Sequence, residues 1–272
     1  MCGIAGQLNL SDQSIADLDK RLGAMSKLLA HRGPDGQGQW RCEQDKVGFV
    51  HRRLAIIDLS DSAAQPMDAD NGTVITFNGE IYNYPELRES LSDDWDFRSH
   101  SDTECILASY QRYGDDFLSH LRGMFAFAIW DKKKQRLICA RDRFGIKPIY
   151  YSIQNNNFYF GSDIRALEAI GVKKKISERS IKYYLVDGIL EDNENTLYEG
   201  IRPLKPGKII RIKNSKLNII DFWKANKVNK IKIKKKEVQE ALDEKLLEVI
   251  KMHLISDVKV GLTLSSGIDS QI

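Results

Sequence analysis

Met1-Cys2-Gly3-Ile4-Ala5-Gly6 opens the chain and places a thiol directly behind the initiator methionine. Removal of Met1 would leave a nucleophile and a free α-amine on one residue, which together make a nucleophile and base pair. Because an α-amine has an unperturbed pKa of roughly 7.7 to 8.0, it can accept a proton near neutral pH. A cysteine here can also be an incidental residue on a frayed terminus. The downstream sequence decides between these interpretations.

The composition is that of an ordinary globular protein. The chain has 272 residues, of which 42% are hydrophobic and 29% are charged, so it can bury the core of one large domain or of one and a half. The formal net charge is +3, and the basic excess lies mostly in residues 224–236 rather than across a surface that could follow a phosphate backbone. We therefore expect no nucleic-acid partner.

The spacing of cysteines and histidines indicates neither a disulfide framework nor a metal site. The four cysteines contain no C-x-x-C pair, and the five histidines form no H-E-x-x-H pattern. No apolar run comes near the roughly 18 residues of a membrane span, and no charged-then-apolar leader begins the sequence. These patterns predict no membrane span, no secretory signal and a cytoplasmic location.

The first 170 residues alternate between helical and extended patterns. An apolar stripe predicts an amphipathic helix over residues 11–30. Ser101 followed by Glu104 fits a capping box before a second helix at 102–113, and a short helix is predicted at 85–91. Runs rich in β-branched and aromatic residues predict strands at 46–50, 54–59, 74–77, 125–130, 136–140 and 157–161. This order favours sheets with helices packed outside them.

A different composition begins near Lys173. A helix is predicted at 177–186, and a segment punctuated by proline and glycine and then the lysine run follow it. An amphipathic helix is predicted at 237–255 and a buried strand at 258–264. This strand runs into Ser265-Ser266-Gly267-Ile268-Asp269-Ser270, two residues before the sequence stops. Because one helix and one strand cannot complete a parallel sheet, we expect this part to be the opening of an incomplete domain.

Six motifs stand in the same order as in a known family. The chain resembles the glutamine-dependent asparagine synthetases at Met1-Cys2-Gly3-Ile4-Ala5-Gly6, His31-Arg32-Gly33-Pro34-Asp35, Arg53-Leu54-Ala55-Ile56-Ile57-Asp58, Ala64-Gln65-Pro66-Met67, Phe77-Asn78-Gly79-Glu80-Ile81-Tyr82-Asn83 and Ser101-Asp102-Thr103-Glu104. The resemblance extends through Gly123-Met124-Phe125-Ala126-Phe127-Ala128 and Arg141-Asp142-Arg143-Phe144-Gly145-Ile146-Lys147-Pro148.

The resemblance implies an α+β fold. Residues 1–190 would form a class II glutamine amidotransferase domain, an N-terminal-nucleophile αββα sandwich, which agrees with the strand-rich pattern. Residues 191–236 would be a connector. Residues 237–272 would be the truncated start of the α/β pyrophosphate-loop ATP-binding domain that makes asparagine in the family.

The resemblance also implies a glutaminase site. It assigns nucleophilic catalysis to Cys2, and it assigns the oxyanion hole to Asn78 and Gly79. In binding glutamine, Arg53 would hold the α-carboxylate and Asp102 the α-ammonium, since a guanidinium fork matches a carboxylate. The implied glutamine-binding set is completed by Leu54, Ala55, Ile56, Ile57, Asn78, Gly79 and Glu80.

Each motif also has a purely structural interpretation. Asn78-Gly79 is the strongest short signal for a hairpin turn, Arg53 can be a solvated charge at a strand start, and Asp102 can serve only as a helix-terminus residue. We interpret His31 as a turn residue rather than a proton shuttle, because the α-amine already supplies the base.

The implied reaction is attack of the Cys2 thiol on the side-chain amide of glutamine, release of ammonia and hydrolysis of the thioester to glutamate. In the full-length family the ammonia aminates aspartate, and ATP with Mg activates the aspartate carboxylate. The glutaminase step needs no cofactor, and we expect no metal site in this chain. L-Glutamine is the expected partner, with no membrane or nucleic acid and with a homodimer as a possibility left open.

The end of the sequence resembles the S-G-G-x-D-S pyrophosphate loop of that family. The implied ATP-contacting residues are Thr263, Leu264, Ser265, Ser266, Gly267, Asp269 and Ser270. Ser266 stands where the family pattern has glycine, and its Cβ and hydroxyl would narrow a loop that needs close backbone approach. We therefore expect the chain to hydrolyse glutamine without making asparagine.

Three other interpretations stay open. The same N-terminal domain occurs in sugar-phosphate and phosphoribosyl-pyrophosphate amidotransferases, against which the loop at 265–270 argues. A related amidotransferase could aminate another carboxylate acceptor. The chain could also be a non-catalytic partner-binding fragment, against which intact Cys2, Arg53, Asn78, Gly79 and Asp102 argue.

Overall fold

Two six-stranded antiparallel sheets form the centre of the molecule. The computed structural model describes residues 1–189, 194–225 and 231–267. The strands are β1 Gly3–Asn9, β2 Gly36–Arg41, β3 Val47–Arg53, β4 Met67–Ala69, β5 Thr73–Ile81, β6 Gly123–Asp131, β7 Arg136–Arg141, β8 Tyr150–Gln154, β9 Asn157–Gly161, β10 Lys175–Ile176, β11 Tyr198–Glu199, β12 Ile201–Pro203, β13 Lys208–Lys213 and β14 Lys216–Asp221. The α-helices are α1 Leu18–Leu29, α2 Tyr84–Leu91, α3 Asp102–Tyr113, α4 Phe117–His120, α5 Ile164–Glu168, α6 Glu178–Asp187 and α7 Val238–His253.

The first sheet has the order β12-β8-β9-β1-β3-β2, and the second has the order β14-β13-β7-β6-β5-β4. The remaining pair, β10 and β11, forms a small separate sheet. Strand β1 therefore lies inside the first sheet, between β9 and β3. Cys2 immediately precedes β1, so the proposed nucleophile is attached to a buried strand that is paired on both sides.

Alternation along the strands creates three separate cores. On β6, Phe125, Phe127 and Ile129 pack with the helices α2 and α3, whereas Ala126 and Trp130 pack between the two sheets. A third core joins α1 and α5 to the outer face of the first sheet. Successive strand residues point to opposite faces, so one β-sheet face meets helices and the other meets the second sheet. The result is a four-layer α-β-β-α arrangement.

The first predicted helix is confirmed in its buried stripe but begins later than expected. Leu22, Met25 and Leu29 are at most 1% exposed, as the spacing predicted. The helix starts at Leu18 rather than near residue 11, and Asp12 and Asp17 have φ of 59° and 54°. These left-handed residues cannot continue a right-handed helix.

The predicted strand at 54–59 is wrong, because this segment is a loop that follows β3. Its apolar run resembles a strand, yet Asp58 has φ of 52°, which takes the backbone out of the extended region. The loop packs beside Cys2 and becomes part of the candidate site.

Part of the segment expected as a connector belongs to the two sheets. Strand β12 pairs with β8 at the edge of the first sheet, and β13 pairs with β7 in the second. Ile209, Ile210 and Ile212 of β13 are at most 2% exposed. The sandwich therefore continues to the end of β14 rather than stopping near residue 190.

The C-terminal segment differs from the sandwich. Helix α7 is close to its predicted bounds, but residues 258–264 form no strand, and Val260, Leu262 and Leu264 are exposed. A lone extended segment has no hydrogen-bonding partner for its backbone, so it is not held as a strand.

Among the residues that the structure describes, no helix is both long enough and apolar enough to cross a bilayer. The same residues contain no cluster of His, Cys, Asp and Glu suited to a metal ion.

Candidate active site

Nearly all of the predicted glutamine-site residues converge on one cavity of about 150 Å³. The cavity lies where Cys2 and the loop after β3 meet strand β5 and the start of α3. The predicted residues that line it are Cys2, Arg53, Leu54, Ile56, Ile57, Asn78, Gly79, Glu80 and Asp102. Ala55 is the one predicted residue that does not line the cavity. Its backbone N–H donates to the Asp35 carboxylate at 2.9 Å.

The Cys2 thiol is held against the backbone of Leu54. The Leu54 N–H donates to Sγ at 3.3 Å, and the thiol lies 3.5 Å from the Leu54 carbonyl oxygen. Burial raises the pKa of the Cys2 thiol, and the hydrogen bond from Leu54 opposes that rise. A thiol with a raised pKa is protonated at neutral pH, so its use as a nucleophile requires a base close by.

The chain terminus lies beside this thiol. Burial lowers the pKa of the Met1 α-amine, and removal of Met1 would place the terminal amine on Cys2 itself. Arg32 Nε donates to the Cys2 carbonyl at 3.0 Å and fixes the start of the chain. Gly33 follows Arg32 and packs directly against the backbone of Arg52. A Cβ at residue 33 would lie 2.4 Å from that backbone, so glycine allows the close approach.

Asn78-Gly79 is not a hairpin turn, because both residues lie inside β5 and pair with Ala126 and Phe125 of β6. A Cβ on Gly79 would lie 2.2 Å from the Met124 carbonyl oxygen. Glycine is therefore needed here for close packing of neighbouring strands.

The edge of β5 that faces away from β6 supplies backbone donors. The Phe77 N–H donates to Gln65 Oε1 at 2.7 Å, and the Ile81 N–H donates to Asp102 Oδ2 at 2.9 Å. Strand β4 pairs with β5 only from Thr73 to Ile75. Because N–H groups alternate along a strand, the Gly79 N–H points to the same edge, between these two, where the cavity lies.

The Asn78 side chain faces the first sheet and lines the cavity. The residue is 1% exposed, and its Nδ2 has no hydrogen-bond partner in the described part of the chain. A buried donor without an acceptor costs on the order of 1 to 3 kcal/mol. A ligand oxygen in the cavity would satisfy it, so Asn78 Nδ2 and the Gly79 N–H together suit an oxyanion.

Arg53 ends β3, and its guanidinium is held by the loop that follows. Nη1 donates to the Ser60 carbonyl at 2.8 Å, and Nη2 donates to the carbonyls of Asp58 and, at 3.5 Å, Ile57. Arg53 also lines the cavity, so the loop fixes a cation at its wall. A fixed guanidinium is well suited to a carboxylate ligand.

Asp102 is the first residue of α3 and is 5% exposed. Burial raises its pKa to about 7, Glu80 adds to that rise, and the hydrogen bond from the Ile81 N–H opposes it. A bound cation would reverse the effect of burial. Asp102 lines the same cavity as Arg53, so a buried carboxylate is available there for an ammonium group.

The predicted capping box at α3 is half confirmed. Ser101 Oγ accepts from the Thr103 N–H at 3.1 Å, as an N-cap does. Glu104 does not reach Ser101, because its carboxylate accepts from the backbone N–H groups of Arg98 and Ser99.

Asp58 supports the site from the loop after β3, a role for which the sequence did not single it out. Its carboxylate accepts from Ser60 and, at 2.7 Å, from the backbone N–H of His100. Burial alone would raise the pKa of Asp58, but these hydrogen bonds outweigh it and lower the pKa. The loop at residues 54–60 holds Arg53, and Asp58 links this loop to the segment that precedes Asp102.

Lys147 is a second residue that sequence reasoning missed. It is 7% exposed and lines the cavity with Glu80. Burial lowers its pKa, and the negative charge of Glu80 partly opposes that. The motif that contains Lys147 belongs to the family resemblance, but nothing in the sequence indicated that its side chain faces Cys2.

His31 lies at the surface, where Nε2 contacts Asp163 at 3.7 Å and Arg165 at 2.9 Å. This placement agrees with a turn residue rather than a proton shuttle.

The described part of the predicted ATP loop, residues 263–267, is exposed, and Asp269 and Ser270 lie outside the described residues. A Cβ on Gly267 would contact only Ser265 Oγ, at 3.4 Å. These residues therefore form no cradle that fits a nucleotide phosphate.

The sequence matches the model of the glutamine amidotransferase domain family over residues 1–223. The chain belongs to this family. The match includes β12, β13 and β14, in agreement with their place in the sheets. The predicted enzyme class, a glutamine-hydrolysing amidotransferase, is thereby confirmed.

Curated relatives extend the similarity to almost the whole chain. An asparagine synthetase [glutamine-hydrolyzing] 1 from Bacillus subtilis is 36% identical over 99% of this chain and 43% of its own length. A putative asparagine synthetase [glutamine-hydrolyzing] 2 from Methanocaldococcus jannaschii is 33% identical over 99% of this chain and 55% of its own length. Amidase chry2 from Gibberella zeae is 38% identical over 89% of this chain and 36% of its own length. The resemblance to asparagine synthetases is confirmed, and the chain spans about half or less of these relatives.

Solved structures show the same fold. A glutamine phosphoribosylpyrophosphate amidotransferase from Bacillus subtilis superposes with a TM-score of 0.60 at 19% identity, over 82% of this chain and 49% of that chain. A regulatory enzyme of purine biosynthesis superposes with a TM-score of 0.61, also at 19% identity and with the same coverage. The predicted αββα sandwich fold is thereby confirmed.

Proposed function

We propose that this chain hydrolyses L-glutamine to glutamate and ammonia, with Cys2 as the nucleophile. The observation that supports this most is the convergence, in one cavity, of the thiol, of Asn78 Nδ2, which has no partner among the described residues, and of the Arg53 and Asp102 side chains. Arg53 binds the α-carboxylate of glutamine and Asp102 binds its α-ammonium. The side-chain amide of glutamine then lies toward Cys2.

In the first half-reaction, Cys2 Sγ forms a bond to the amide carbon, and the thiol proton passes to the α-amine that removal of Met1 exposes. The amide oxygen becomes an oxyanion and accepts hydrogen bonds from Asn78 Nδ2 and the Gly79 N–H. The α-amine gives its proton to the departing nitrogen as the carbon–nitrogen bond breaks. Ammonia leaves, and a thioester remains on Cys2.

In the second half-reaction, water attacks the thioester carbon and the α-amine accepts its proton. The carbon–sulfur bond breaks, the α-amine returns its proton to Sγ so that the thiol is restored, and glutamate leaves. No metal or cofactor takes part in either half-reaction.

We further propose that, in a longer protein of this type, the ammonia aminates a carboxylate. Aspartate would be the acceptor, ATP the co-substrate and Mg the cofactor. The named asparagine synthetases support aspartate as the acceptor. The described residues 263–267 do not fit a nucleotide, so no step here depends on ATP. Relatives named amidases, at 38% and 33% identity, support cleavage of an amide bond as the chemistry of this site.

The test is glutamate release from L-glutamine by the purified chain, with the intact mass of the N-terminus measured in the same sample. We expect activity that accompanies loss of Met1 and disappears in Cys2→Ala. Cys42→Ala, which removes a thiol elsewhere in the core, is the matched control and should retain activity. Activity that survives in Cys2→Ala, or its absence from a processed wild-type chain, would contradict the proposal.

A further inference from the structure

The turn after α7 contacts the loop that lines the cavity, and it lies outside the region that matches the family model. Asp257 Oδ2 accepts from the Asp58 N–H at 2.7 Å, and the Asp257 N–H donates to the Ile56 carbonyl at 3.0 Å. These two bonds join residues far apart in the sequence. The family match ends at residue 223, so neither the match nor the motifs account for this contact.

The contact orients a peptide group that Arg53 uses. The Asp58 N–H and the Ile57 C=O belong to one planar peptide unit and point in opposite directions. Asp257 holds the N–H end, and Arg53 Nη2 donates to the C=O end. Rotation of this unit would therefore move an acceptor of the guanidinium that lines the cavity.

The position of Asp257 is itself fixed. The Ser256 hydroxyl accepts from the Val258 N–H and donates to the Val258 carbonyl, both at 3.1 Å, which closes a turn around Asp257. Helix α7 is tied to the sandwich by a 3.2 Å ion pair between Glu248 and Arg122. The His253 ring lies 4.3 Å from the ring of Tyr82, at the end of β5.

We propose that Asp257 is a positioning residue for glutamine recognition, acting on Arg53 through the loop at residues 54–60. Movement of the turn after α7 then changes the affinity of the site for the α-carboxylate of glutamine. The C-terminal segment is thereby coupled to the glutaminase cavity without contributing a catalytic residue. This inference rests on the proposed hydrolysis of glutamine.

The test compares Asp257→Ala, Asp257→Asn and the control Asp243→Ala in the full chain. Asp243 is an exposed carboxylate on α7, so its loss removes the same charge from the same segment. We expect Asp257→Ala to raise the KM for glutamine by roughly three- to tenfold, since a hydrogen bond to a charged acceptor is lost. The kcat should stay within about twofold. Asp257→Asn keeps an acceptor oxygen and should raise KM less, and Asp243→Ala should not raise it.

Amide hydrogen exchange gives a readout that does not need turnover. Exchange in residues 54–60 should be faster in Asp257→Ala than in the wild type and unchanged in Asp243→Ala. Unchanged exchange in Asp257→Ala would overturn the contact, and unchanged KM would overturn its role in recognition. A wild-type chain that releases no glutamate would instead contradict the proposed function, while exchange would still report whether Asp257 holds the loop.

Discussion

Helices α1 and α7 have the same kind of amphipathic sequence and opposite environments. The apolar stripe of α1 is buried against the first sheet, and Leu22 is 1% exposed. No residue of α7 is buried, and Leu246 is 42% exposed. Apolar spacing therefore predicts that a helix forms but not what covers it. In the sandwich each element has a partner within the described chain, whereas the C-terminal segment contacts the sandwich through a few polar residues.

The largest effect on stability should come from truncating the chain on either side of the end of the sandwich. A chain ended after residue 236 keeps β12, β13 and β14, whereas a chain ended after residue 189 loses all three. We expect cooperative urea unfolding for the longer chain and none for the shorter one, because Ile209, Ile210 and Ile212 leave the cores. Cooperative unfolding of the shorter chain would show that residues 1–190 form the domain by themselves.

A second prediction separates function from stability within the sandwich. Asn78→Ala removes a buried donor that has no partner in the part of the chain that the structure describes, so the free energy of unfolding should change little. Glutamine hydrolysis should nevertheless fall on the order of 100- to 1000-fold in kcat, as for loss of one oxyanion donor. Steady-state kinetics and urea unfolding of the same preparation measure both effects. Asn218→Ala, on the exposed strand β14, is the control, and equal activity in the two variants would refute the assignment.

The third prediction tests the two helices directly. Leu22→Ala leaves a cavity in a closed core and should lower the free energy of unfolding by about 2 to 5 kcal/mol. Leu246→Ala removes a side chain that is already partly in water and should change it by less than about 0.5 kcal/mol. Equal losses, measured by urea unfolding, would mean that α7 is covered in solution.

The sequence predicts much of the sandwich because its patterns are local. Strands rich in β-branched and aromatic residues, such as β6, and the apolar stripe of α1 can be recognised without knowing which element packs against them. Ser101 was likewise predicted as a helix start, and its Oγ caps α3, although Glu104 does not complete the capping box. The family motifs identified the side chains that converge on the cavity, although not where the loop at 54–60 bends.

The missed features depend on contacts that no local pattern contains. The apolar run before Asp58 resembles a strand, and only the left-handed φ of Asp58 turns it into a loop. Lys147 lines the cavity only because the fold brings it to Cys2 and Glu80. Asp257 lies 199 residues from Asp58 in sequence, so its hydrogen bond exists only in the folded chain.

The smallest predicted effect is on the pH dependence of glutamine binding. It distinguishes Asp102, which is buried in the sandwich, from Asp257, which is exposed in the C-terminal segment. Burial raises the pKa of Asp102 to about 7, so below that pH the residue is neutral in the free enzyme and cannot attract the α-ammonium of glutamine. Binding of glutamine favours the ionised form, so protons are released on binding near pH 6. The dissociation constant for glutamine should therefore rise as pH falls through 7, by up to about tenfold per pH unit.

Calorimetric titration of Cys2→Ala with L-glutamine between about pH 5.5 and 8.5 measures this dependence without turnover. Adding Asp102→Asn should weaken binding at high pH and flatten the profile, because the titrating group has been removed. Adding Asp257→Asn should weaken binding by a similar factor at every pH, because its effect passes through the position of Arg53. A flat profile for Cys2→Ala would show that Asp102 is already ionised in the free enzyme and that burial is compensated there.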